Sequence, residues 1–108
     1  MEDIRVMREG RYYIVESSYD NMKFNVEETD ESAEELGVEP ENVAIIRAIM
    51  NQKIYRHRTT WKDIVKTFEK ILKVVPTEFV ISYMLEAPDY IINDPDILLD
   101  NVLREYGL

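Results

Sequence analysis

The hydrophobic period of the chain is strand-like through residue 28 and helical only beyond residue 41, and that change constrains the fold more than any other feature. Before it, β-branched and aromatic residues alternate with polar ones, the pattern of strands with one face in water. The first strand is expected over 4–8, with Glu9-Gly10 permitting a tight turn. The second is expected over 11–17 around Tyr12-Tyr13-Ile14-Val15, and Asp20-Asn21 supplies the next turn. In the third, Met22, Phe24 and Val26 share one face, while Lys23, Asn25 and Glu27 share the other. Such a meander cannot bury its apolar side alone, so later segments must cover it.

Beyond residue 41 the spacing turns helical. Pro40 suits a first turn, and Val43, Ile46, Ile49 and Met50 follow on one stripe that Ile45 widens. Lys53 would fall on the apolar side, so this helix is expected to end near Gln52, leaving 53–58 extended. Thr60 and Asp63 have capping-box spacing ahead of Ile64, Phe68, Ile71, Leu72 and Val75, and Trp61 lies on that packing side. Residues 78–86 fit both periods and are read as helix, with Thr77 as its cap. Asp94, Pro95 and Gly107 bound a last helix whose inner face is Leu98, Leu99, Val102 and Tyr106.

Between the two patterns lies an acidic stretch, 27–41, in which Ser32 and Glu35 could close a short helical turn that Gly37 stops. The expectation is therefore an α+β chain of 108 residues forming a single domain. An N-terminal three-stranded antiparallel meander (1–28) is joined by an exposed acidic connector (29–41) to a mainly helical part (42–108), whose three to four helices pack on the sheet. Met22, Phe24, Val26, Ile46, Ile49, Ile64, Phe68, Ile71, Leu72, Leu99 and Val102 are the expected core.

Several function classes find no support. The chain has no cysteine, so a disulfide framework, a thiolate nucleophile and a cysteine zinc site are excluded. Its single histidine, His57, stands between Arg56 and Arg58 and reads as a surface residue; no serine sits in a nucleophile-elbow context. Asp94, Asp96 and Asp100 read as a cap, a complement to the helix dipole and a solvent-facing residue rather than as a cation site. Gly10, Gly37 and Gly107 are too far apart for a phosphate loop. No catalytic residue, metal or cofactor is assigned, and the chain is read as a non-enzyme. It has no apolar run of membrane-spanning length and no secretory leader, which with the missing cysteine points to a cytoplasmic setting.

Charge is the informative feature. The net charge of −9 is unevenly spread: 4 basic and 13 acidic residues in 1–41, 8 and 2 in 42–75, and 1 and 7 in 76–108. Exposed ion pairs contribute only about 0–1 kcal/mol each, so folding does not require such segregation. It does steer oppositely charged partners. The leading expectation is a non-catalytic accessory or regulatory protein that binds another macromolecule, most readily a protein, through segregated charged surfaces.

Two faces are candidates, one acidic (Glu27, Glu28, Asp30, Glu31, Glu34, Glu35) and one basic (Arg56, His57, Arg58, Lys62, Lys66, Lys70, Lys73). One alternative is nucleic-acid binding by segment 53–73, with Trp61, in a tri-helical arrangement resembling a helix-turn-helix. Another is an acidic mimic of nucleic acid that inhibits a DNA- or RNA-binding protein. Opposite charges on one molecule also leave pairing between copies open.

Overall fold

The computed structural model describes residues 4–17, 20–54 and 60–108. The change from strand to helix comes earlier than the helical spacing, at Val26. Strands β1 (Arg5–Glu9), β2 (Tyr12–Glu16) and β3 (Asn21–Asn25) are followed by helices α1 (Val26–Leu36), α2 (Pro40–Lys53), α3 (Trp61–Leu72), α4 (Thr77–Glu86), α5 (Asp89–Ile92) and α6 (Pro95–Tyr106). The α+β class and the three-stranded antiparallel meander, in the order β1-β2-β3, are as expected. The chain falls into two compact units, 1–48 and 49–108, and α2 contributes 40–48 to the first and 49–53 to the second.

In the first unit the register sets Val6 opposite Val15 and Met22, and Tyr13 opposite Phe24, so these side chains share a face. Tyr13, Val15, Phe24 and Val26 are buried there with Ala44 and Ala48 of α2, and Ile4, Val6 and Met22 pack against them. The small alanines let the helix backbone come close to the strands. The Arg47 guanidinium lies 4.9 Å from the centre of the Phe24 ring, and its burial depresses its pKa.

The acidic stretch is not the exposed connector expected over 29–41. It is largely helix α1, which starts at Val26, where the third strand was expected to continue. Asn25 ends the strand because its side chain accepts from the Glu28 amide at 3.1 Å and caps the helix. Ser32 is an interior residue, not a cap, and Gly37 closes the helix at φ 70°, as its position predicted. The inner face is Val26, Thr29, Ser32, Ala33 and Leu36. Two polar residues on that face hid its helical period.

In the second unit α6 is the organising element, in contact with α3, α4 and α5. Ile49, Ile64, Phe68, Ile71, Val80, Met84, Ile92, Leu98 and Val102 are fully buried. Of the expected core, Phe24, Val26, Ile46, Ile49, Ile64, Phe68, Ile71 and Val102 are buried, whereas Met22, Leu72 and Leu99 are half-buried and Leu98 takes the innermost place on α6. Trp61 stacks on Phe68 at 5.8 Å, a packing role.

The capping box of α3 is present: Thr60 Oγ1 accepts from the Asp63 amide at 3.3 Å, and the Thr60 amide donates to Asp63 Oδ2. Asp94 caps α6 by accepting from the amides of Asp96 and Ile97. The ambiguous 78–86 segment is helical, but Pro76 is its cap and Thr77 its first residue.

Lys53 corrects the expected end of α2. It belongs to the helix, and its ammonium donates to the carbonyls of Met84 (2.6 Å), Leu85 (3.0 Å) and Ala87 (2.7 Å). A cation on the apolar side is stable because it caps the carbonyl end of α4. The rest of the segment expected as extended, from residue 55 on, lies outside the described residues.

Candidate interaction surfaces

Helix α1 has an outer face built of carboxylates. Glu27, Glu28, Asp30, Glu31, Glu34 and Glu35 are all exposed, so the six acids singled out in the sequence come together on one element. Asp30 accepts the Tyr13 hydroxyl at 2.7 Å, and Glu28 acts electrostatically on Arg47. Glu31 is central: Glu27 and Glu28 lie four and three positions before it, and Glu34 and Glu35 three and four after it. On a helix those are its nearest surface neighbours.

The basic candidates divide. Lys62, Lys66 and Lys70 are exposed on α3, opposite Ile64, Phe68 and Ile71, and Lys73 is exposed as its C-cap. Lys73 approaches Glu69 of α3 at 4.0 Å, and among the described residues Lys62, Lys66 and Lys70 have no carboxylate within ion-pair distance. Arg56, His57 and Arg58 lie outside the described residues. Helix α4, which would be the groove-reading element of a tri-helical unit, carries exposed Glu78 and Glu86 and no basic residue.

A further feature was not foreseen. A cleft of about 330 Å³ is lined by Arg8, Gly10, Arg11, Asn25, Val26 and Glu27. The hairpin turn and the start of α1 meet there because the Val26 amide donates to the Arg11 carbonyl at 2.8 Å. Glu27 in its wall offsets one of the two arginines. Only the strand-to-helix switch at Asn25 could have signalled this meeting.

Among the described residues, no group of three His, Asp or Glu side chains is arranged to hold a metal ion. None of their helices is long and apolar enough to cross a membrane. Comparisons with protein-family models, curated proteins and solved structures return no match. The surfaces have to be read from their own chemistry.

Proposed function

We propose that the chain is a non-catalytic binding module, accessory or regulatory in role and cytoplasmic in setting, that engages a basic protein through the acidic face of α1. The observation that carries this reading is Glu31 among four other glutamates on a solvent-facing helix surface. Like charges at these spacings each destabilise a helix by about 0.2–0.5 kcal/mol, so the arrangement costs stability that folding alone would not demand. Its benefit lies in encounter, since a single-signed field attracts a basic partner and raises its association rate.

The test uses the full chain as bait beside a variant reversed at Glu27, Glu28, Asp30, Glu31, Glu34 and Glu35. Partners that depend on this face are expected in the wild-type fraction alone. Recovery unchanged by the reversal contradicts the reading. Partners that polyanions displace would instead favour an acidic mimic of nucleic acid.

One observation favours a second reading, nucleic-acid binding by α3: Lys62, Lys66 and Lys70 are exposed with no carboxylate of the described residues in ion-pair range. That reading predicts a low-salt gel shift that weakens steeply as salt rises and is lost with Lys62→Glu and Lys66→Glu. The exposed glutamates of α4 oppose it.

A further inference from the structure

We infer that the outer edge of β1 is a self-recognition strand: two copies of the chain pair it antiparallel about Met7, joining two three-stranded sheets into one. The inference concerns the first unit alone and is independent of the acidic face of α1.

The free backbone groups follow from the register. Ser17 donates to the Asp20 carbonyl, and Val26 to the Arg11 carbonyl, so the odd-numbered residues along β2 point their backbone groups toward β3. In an antiparallel ladder the N–H and C=O of one residue point to the same side, and the sides alternate. Tyr12, Ile14 and Glu16 therefore bond β1 through their partners Glu9, Met7 and Arg5. The N–H and C=O groups of Val6 and Arg8 are left pointing outward, on a strand whose neighbour in the sheet is, among the described residues, β2 alone. An unpaired edge of this kind is a template for another strand.

The strand Arg-Val-Met-Arg-Glu then selects its own register. Outward residues must meet outward residues, so the two-fold axis between copies passes through one residue of β1. Centring on Arg5 or Arg8 opposes two arginines, and centring on Glu9 opposes two glutamates. Centring on Val6 opposes no charges of opposite sign.

Centring on Met7 sets Arg5 opposite the partner copy's Glu9, and Glu9 opposite its Arg5. Met7, which is 36% exposed, meets its own copy. Each Met7 is flanked within its own sheet by half-buried Ile14, so an apolar stripe crosses the junction with an ion pair at either end. On the other face Val6 faces Arg8 of the copy, and the two Arg8 side chains stand only diagonally to each other. The charges that repel pairing in three registers are complementary in this one, and the contact is isologous and closes as a dimer.

The absence of cysteine in the chain makes the register directly testable. In a Met7-centred pair the two Met7 Cα atoms are about 4.5 Å apart, within disulfide reach, whereas the two Arg5 Cα atoms are roughly 14 Å apart. Under mild oxidation, full-length Met7→Cys is expected to form a disulfide-linked dimer. Arg5→Cys and Glu9→Cys should do so only when mixed with each other.

In sedimentation velocity, Arg5→Glu should weaken wild-type self-association by about tenfold, and Arg5→Glu with Glu9→Arg should restore it. All these side chains are exposed, so the variants should fold. The inference is overturned by a wild-type chain that stays monomeric at on the order of 100 μM. It is equally overturned by a dimer indifferent to Arg5→Glu, or by Met7→Cys crosslinking no faster than Arg5→Cys alone.

Discussion

The ammonium of Lys53 lies 2.6 Å from the carbonyl oxygen of Met84, thirty-one positions further along the chain. With Leu85 and Ala87 it satisfies three carbonyls at the end of α4, a helix with no basic residue of its own in its last turn. Lys53→Met keeps the aliphatic stem and leaves those acceptors without their cation. The expected cost is about 2–3 kcal/mol in urea unfolding; a change near zero would show that water replaces the ammonium without penalty.

Tyr13 should ionise well above the ordinary tyrosine range. Burial first, then its hydrogen bond to Asp30 and that carboxylate's charge, push its pKa from 10.0 to about 12. Between those values the unfolded chain has released the proton and the folded chain has not. The contribution to stability is therefore complete below pH 10 and is lost as pH rises toward 12. Phenolate absorbance of the folded chain should show a late step that Tyr13→Phe removes. Asp30→Asn should lower that step only in part, because burial remains.

Thr29 is fully buried on α1, and among the described residues its hydroxyl has no hydrogen-bond partner. A buried unpaired hydroxyl carries its desolvation cost uncompensated. Thr29→Val keeps the branched shape and should stabilise the chain by about 1 kcal/mol in thermal or urea unfolding. A loss of stability would mean that the hydroxyl has a function in the fold.

Glu31→Gln removes one charge from a surface where all four nearest helical neighbours are glutamates. It should raise stability by about 0.5–1 kcal/mol at low salt, and the gain should shrink as salt screens the repulsion. A destabilised variant would argue that the acids are held by contacts rather than tolerated.

The fold was legible wherever one period ran without interruption. The strands, the α3 face from Ile64 to Ile71, and the caps at Thr60, Asp94 and Gly107 are local patterns and survive in the structure. The misreadings came from long-range compensation or polar burial. Lys53 appeared misplaced on an apolar stripe because its partners are more than thirty residues away. Helix α1 was masked because Thr29 and Ser32 sit on its buried face. The acids of that helix were identifiable as a group, but their clustering around Glu31 on one outward surface needed the helix itself.

If the acidic face of α1 drives encounter, the association rate constant measured against ionic strength shows it most directly. Using a partner recovered by the wild-type chain, stopped-flow mixing should show the association rate falling at least about tenfold from low salt to physiological salt, with dissociation little changed. The variant reversed at Glu27, Glu28, Asp30, Glu31, Glu34 and Glu35 should begin at the slow rate and lose that dependence. An association rate that is the same for both proteins and flat with salt would contradict the claim.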